Sequence, residues 1–305
     1  MAFSPTEPMA VIARPDVGLC FVSIKSGKLI WKAEGMNQGV PLTEFFKQLR
    51  PRQRGIEFSR DGSIFALVMN QTLRAWNVSS GELVREVPSV RGGAFALSPD
   101  GRLAAFRDTS GNFSGYKFKV YELETGRVLF EHSFGANRLS ALQFSRDGQA
   151  LFCRPWRFST KVHILDVQSG ALLRRLSGHN SHIMAMAELA DSQTLVTSGA
   201  DHSIRLWNWK SGELIQVLRG HRAEVEGLIA IPDGQSFVTA SRDGQVLAWD
   251  PRHLSEKTVE IPLNIQEYDD HSYSFPHKRL RNPVMGYTMT RPFTISLNPM
   301  EPRPS

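Results

Sequence analysis

The chain is 305 residues long, 41% hydrophobic and 22% charged, a balance that supplies a sizeable core and excludes a disordered or low-complexity chain. Its opening, MAFSPTEPMAVIARPD, lacks the basic segment and long apolar run of a secretory signal, and no stretch approaches the ~18 apolar residues of a membrane helix, so a soluble, cytoplasmic protein with no membrane partner is expected. The formal charge of +6 is spread along the chain, with local excesses at 47–60 (Lys47, Arg50, Arg52, Arg54 and Arg60 against Glu57) and at 154–161 (Arg154, Arg157 and Lys161 with no acid), where a solvated surface and an anionic partner are both open readings.

Short apolar runs separated by Asp-Gly, Ser-Gly or Thr-Gly turns recur from end to end, the pattern of antiparallel strands joined by tight hairpins. Unit one (1–34) reads AVIA, LCFVSI and SGKLIWKA, with its first strand nearly absent; either the chain begins inside a unit, as a piece of a longer protein, or its far end supplies that strand. An insertion follows at 35–54, in which PLTEFFKQLR starts with Pro41 and Thr43 and puts Phe45, Phe46 and Leu49 near one face of a short helix. Unit two (55–90) carries IEFSRDG, SIFALVM, TLRAWNV and SGELVREV. Unit three (93–134) runs FALSPDG, RLAAF, FKVYEL and TGRVLFEH around a swollen loop from Arg107 to Lys117, and unit four (138–177) runs LQFSRDG, ALFCR, VHILDV and SGALLRRL around a second, PWRFSTK. Cys20 and Cys153, the only cysteines, sit in two of these apolar runs and read as buried free thiols.

Units five (178–219) and six (220–262) are one pattern written twice: His179 and His221, Asp201 and Asp243, Trp207 and Trp249, and Gly170 and Gly212 are each 42 positions apart. Such a period, with Gly-His opening a unit and Trp near its close, resembles the WD-repeat family. The resemblance implies an all-β fold, a β-propeller of four-stranded antiparallel blades with six recognisable repeats over 1–262. Residues 263–305 break the pattern, and are expected to form an irregular seventh blade, with strands near 287–290 and 293–297, or a ring-closing tail.

The resemblance also implies hydrogen-bonded networks His179, Thr197, Asp201 and Trp207, and His221, Thr239, Asp243 and Trp249, which satisfy the polar groups of a tight turn buried between blades. These are also the parts of a nucleophilic triad, but a catalytic triad should occur once and this one occurs twice with identical spacing. Unit two keeps Trp76 but has Ala66 at the hydroxyl place and Asn70 at the aspartate place. Tyr121 and Leu165 take the tryptophan place in units three and four, and unit one keeps Asp16 with Val22 there. His179 and His182 have metal-like spacing without a third ligand, and no phosphate-binding glycine loop is present, so neither metal nor cofactor is expected.

In WD-repeat propellers the face formed by the loops between blades and the turns between second and third strands is the usual partner-binding surface. Motif position puts His182, Met184 and Ala200 there from unit five, Glu224, Glu226 and Arg242 from unit six, and Met69 from unit two. The long insertions map to the same face, where Trp156 stands among Arg154, Arg157 and Phe158. A non-catalytic scaffold binding a protein or peptide is the function this implies. The alternatives are a lactonase-like hydrolase with a site in the central channel, and binding of RNA or another polyanion through basic and aromatic loops.

Overall fold

The structure is a computed structural model, and it describes residues 2–6, 9–14, 18–23, 26, 29–32, 55–69, 71–88, 90–108, 117–134, 139–155, 158–231, 236–251 and 259–260. Six four-stranded antiparallel sheets follow one another along the chain, each with its strands in sequence order. Sheet 1 holds β1 (Ala2–Phe3), β2 (Met9–Arg14), β3 (Gly18–Ser23) and β4 (Leu29–Lys32); sheet 2 holds β5 (Gly55–Phe58), β6 (Ile64–Met69), β7 (Thr72–Asn77) and β8 (Leu83–Pro88). Sheet 3 holds β9 (Val90–Leu97), β10 (Leu103–Asp108), β11 (Lys117–Glu122) and β12 (Val128–Ser133); sheet 4 holds β13 (Leu139–Phe144), β14 (Ala150–Pro155), β15 (Lys161–Asp166) and β16 (Leu172–Ser177). Sheet 5 holds β17 (Ile183–Glu188), β18 (Thr194–Gly199), β19 (Ser203–Asn208) and β20 (Glu213–Arg219); sheet 6 holds β21 (Val225–Ala230), β22 (Phe237–Ser241), β23 (Val246–Trp249) and β24 (Val259–Glu260).

Turn chemistry fixes where each strand reverses. Between the first and second strands of sheet 2, the Ser59 hydroxyl donates to Asp61 at 2.6 Å and accepts the Ile64 N–H at 2.9 Å, closing a loop whose tip is Gly62 at φ +73°. Ser98 with Asp100, and Ser145 with Asp147, repeat this in sheets 3 and 4, both again at 2.6 Å. A side-chain hydroxyl that does the work of a backbone group stabilises such a turn, and the left-handed tip favours glycine. Sheet 5 builds the same corner from Asp191, which accepts from the Thr194 N–H and hydroxyl, and it places Ser192 at φ +54°.

The sheets stack face to face, and the core lies between them. Phe21 of sheet 1 meets Phe65 of sheet 2 edge-on at 5.1 Å. Ala66, Val68 and Leu73 pack on Phe95 and Phe106 of sheet 3, and Phe118 and Val120 on Leu151 and Leu165 of sheet 4. Phe152 and Ile164 then meet Leu195 and Trp207 of sheet 5, and Val196 and Leu206 meet Phe237 and Trp249 of sheet 6. β1 adjoins β5, β5 adjoins β9, β9 adjoins β13 and β17 adjoins β21, so the first strands lie innermost and the fourth strands outermost. Every residue of β18 is buried, whereas β16 is exposed at all but one.

One irregularity recurs. The pairing of third and fourth strands shifts register between Phe21 and Val22, Ala75 and Trp76, Val120 and Tyr121, Ile164 and Leu165, and Leu206 and Trp207. In sheets 1 to 5 the shift falls immediately before the tryptophan place, whatever residue stands there, and a bulge at that point sharpens the local twist.

Register corrects one expectation. β6 and β7 are joined by two residues where β18 and β19 are joined by three, which slides β6 by one. Leu67, not Ala66, therefore lies opposite Arg74 as Thr197 lies opposite Arg205. With leucine at that place, the Trp76 indole N–H is buried without a hydrogen-bond partner. Cys153 is a buried free thiol. The insertion at 35–54 with its expected helix, Asp16, Asn70, most of the swollen loop 107–117, and the tail at 263–305 with its expected strands lie outside the described residues.

Candidate partner-binding face

The top edge of sheets 5 and 6 is built on the two repeated networks. The turn after β16 delivers His179, and the short β18–β19 connection delivers Asp201. His179 Nδ1 lies 3.0 Å from Asp201, its Nε2 lies 2.8 Å from the Thr197 hydroxyl, and the Trp207 indole N–H donates to that same oxygen at 2.9 Å. In sheet 6 the corresponding distances are 3.0, 2.8 and 2.8 Å through His221, Asp243, Thr239 and Trp249. Because the threonine oxygen already accepts from tryptophan, its own proton is directed to Nε2, leaving Nδ1–H to donate to the carboxylate. The run Trp→Thr→His→Asp thus satisfies every member with a neutral imidazole.

Burial holds the His179 imidazole below its usual range, against the pull of Asp201. Burial also pushes the Asp201 carboxyl up, but donation from Ser203, from the Asn180 N–H and from His179 outweighs it and holds the group at about 2. Asp243 reaches about 2 by the same opposition, with the Arg222 and Gln245 N–H groups as donors. Both imidazoles are fully buried, both carboxylates are 8% exposed, and Thr197 and Thr239 are sealed. The hydroxyls and imidazoles of both networks are closed off from solvent, which suits a brace and not a nucleophile.

Around these braces lie the residues expected on the displayed face. Arg242, in the turn after β22, pairs with Glu224 at 2.9 Å and with Glu226 at 2.5 Å, and all three remain partly open to solvent. Glu226 and Met184 are the bulged residues of their first strands, which turns their side chains out of the alternation. Phe158 is 55% exposed and meets the His182 ring edge-on at 5.5 Å, linking the loop of sheet 4 to sheet 5. Ala200, in the β18–β19 connection, donates its N–H to the carbonyl of His182 at the head of β17.

Arg154 is a correction. Expected in the displayed loop, it instead spans two sheets from within β14: its guanidinium donates to the Ile183 carbonyl at 2.7 Å, to the Met184 carbonyl, and to the Ser140 hydroxyl. Burial lowers its pKa to about 10. Arg154 is a strut between sheets 4 and 5, and its cationic head is not offered to a partner. Trp156 and Arg157 lie outside the described residues, as does the side chain of Met69.

Sequence reasoning passed over Glu188. At the end of β17, on the opposite edge from the histidine networks, it is buried and accepts the Arg146 N–H at 2.6 Å and the Trp209 indole N–H at 3.2 Å. Burial pushes it up to about 7, against those donors. The available signal was a carboxylate ending the run IMAMAE and a second tryptophan two residues beyond Trp207.

A family model described as WD domain, G-beta repeat matches residues 170–208 and 212–250. WD repeat-containing protein 55 of Mus musculus is 32% identical over 127 residues, 42% of this chain and 31% of that protein; its Rattus norvegicus counterpart is 31% identical over the same length. Apoptotic protease-activating factor 1 of Danio rerio is 28% identical over 164 residues, 51% of this chain and 12% of that protein. The chain thus spans about a third of the first relatives' length and a smaller part of the last.

Proposed function

From the premise that this chain carries WD40 repeats, we propose that it is a non-catalytic platform that binds a protein or peptide on the top edge of sheets 4 to 6. The observation that supports this most is a division of labour among polar residues. The two Asp-His-Thr-Trp sets are sealed and mutually satisfied, whereas Phe158, His182, Met184, Glu224, Glu226 and Arg242 reach solvent around them. A half-exposed aromatic ring on sheet 4 and, on sheet 6, an arginine held by two carboxylates offer an apolar anchor and charged groups, the composition of an interface.

Capture of partners by the wild-type chain and by a Phe158→Ala, Arg242→Ala double variant tests the reading. Loss of captured partners with an unchanged melting temperature supports it; unchanged capture assigns binding to another surface. Stoichiometric zinc or calcium in the purified protein would favour the hydrolase instead. With Arg154 spent between sheets, a polyanion finds fewer free cations in this loop than its sequence offers.

A further inference from the structure

The outer rim of sheet 4 breaks a charge rule that sheets 2 and 3 obey. Where the third and fourth strands face the preceding sheet, sheet 2 sets Arg74 directly opposite Glu86 at 2.9 Å, and sheet 3 sets Lys119 opposite Glu131 at 3.2 Å. At the same register in sheet 4, His163 stands opposite Arg175. Lys161, two residues earlier on β15, is on the same face and exposed. An imidazole opposite Arg175 supplies no charge to match it, where the two sister sheets set a carboxylate against their base.

The neighbouring sheet adds to the excess. Phe134 lies 4.7 Å from the His163 ring and 4.7 Å from that of His132 on β12. The groups that face this crevice are therefore His132 from β12, His163 and Lys161 from β15, and Arg175 from β16. Glu131, the nearest carboxylate on β12, alternates to the other face and is taken by Lys117 and Lys119. Among the described residues no carboxylate pairs with Lys161 or Arg175. Burial, with the charges of Arg175, His132 and Lys161, lowers the His163 pKa to about 4. β16 is also the last strand of its sheet, with Leu172, Leu173, Arg174 and Arg175 exposed along it.

We propose that this crevice between the outer rims of sheets 3 and 4 is an oxyanion site that takes an acidic side chain of an extended partner peptide, laid along the free edge of β16. An open strand edge recruits a peptide backbone through main-chain hydrogen bonds, and Arg175 with Lys161 gives that peptide a charge it must match. The peptide as occupant rests on the platform reading, but the anion chemistry does not.

The test is an NMR titration of the imidazole signals of the whole chain, alone, with inorganic phosphate, and with an oligoglutamate peptide. An anion in the crevice favours imidazolium, so the His163 midpoint is expected to climb from about 4 by about one unit or more. Response to phosphate alone assigns the site to a phosphate-bearing side chain, response to oligoglutamate alone to a carboxylate, and response to both to either; each supports the proposal. Arg175→Glu puts a carboxylate at the exposed place where sheets 2 and 3 carry one, so it should fold as stably as the wild type and weaken binding by about tenfold or more. A midpoint unmoved by both probes, or an Arg175→Glu chain that binds as the wild type does, overturns the proposal. A single-stranded oligonucleotide that binds more tightly than either probe overturns the peptide as occupant. Partner capture lost in Phe158→Ala, Arg242→Ala but kept in Arg175→Glu leaves the platform standing and removes this site from it.

Discussion

Sheets 5 and 6 carry a polar network at the top edge that sheets 2 to 4 lack among the described residues. In sheets 5 and 6 tryptophan, threonine, histidine and aspartate form a closed run there. In sheets 2 to 4 a serine and an aspartate brace each first hairpin at the bottom, as Asp191 and Thr194 do in sheet 5, and the faces are held by apolar packing, with Arg154 a strut at the top of sheet 4. Sheet 2 shows what the missing hydroxyl costs: Trp76 stands where Trp207 does, but Leu67 stands where Thr197 does, so its buried indole N–H has no hydrogen-bond partner. A blade needs its turns satisfied and its faces covered, and more than one set of residues does so.

The sharpest way to break this comparison is to remove the same tryptophan from both kinds of sheet. Trp207→Ala should cost about 3–5 kcal/mol in urea unfolding, the loss of a large buried side chain and the cavity it leaves. The more telling pair is Trp207→Phe and Trp76→Phe. The first strands the Thr197 hydroxyl and should cost about 1–2 kcal/mol, whereas the second removes an unpaired donor and should be nearly neutral. Equal losses at the two positions would end the distinction.

Acid should divide the two regions next. Asp201 and Asp243 are held at about 2, below the 3.8 of an unperturbed aspartate. Their contribution is fully present above pH 3.8 and is lost as pH falls through about 2, on the order of 1–2 kcal/mol for each carboxylate. Hydrogen exchange at falling pH should therefore open β19 and β23 before the strands of sheet 3, and Asp201→Asn should flatten that dependence in sheet 5.

Glu188 works with the opposite sign. Its folded pKa of about 7 is above the ordinary 4.5, so its contribution is present below pH 4.5 and is lost as pH rises through about 7; Glu57, which burial pushes up to about 8 despite an opposing hydrogen bond with the Leu97 backbone, adds to the same trend. Urea midpoints of Glu188→Gln should accordingly fall less than those of the wild type between those pH values, by about 1 kcal/mol. Ser98→Ala should cost about 1 kcal/mol or less in urea unfolding, one turn hydroxyl in a sheet with no histidine network among its described residues.

The sequence carried the architecture in its spacing: a 42-residue echo and the recurrent Asp-Gly and Ser-Gly turns mark strands whose limits follow from hairpin chemistry. The top-edge networks were equally open to reading, because their members lie on one strand pair or the turn before it. What stayed hidden were relations between sheets. Arg154 looked like a free loop cation because nothing in PWRFSTK reveals that the β17 carbonyls lie within its reach. Glu188 was passed over because its donors come from a turn 42 residues earlier and from a tryptophan outside the repeat pattern. The identity of the hydroxyl place in sheet 2 depended on a connection shorter by one residue, which counting back from Trp76 could not show.

The register shift before the tryptophan place has a further consequence. It occurs above Val22, Trp76, Tyr121, Leu165 and Trp207 alike, so the path of the main chain there belongs to the hairpin and is independent of the side chain it carries. Such hairpins are interchangeable parts: the β19–β20 segment, grafted in place of β15–β16, should seat at the same kink and bring its indole against the preceding sheet, as Trp207 does on sheet 4, without a change of loop length.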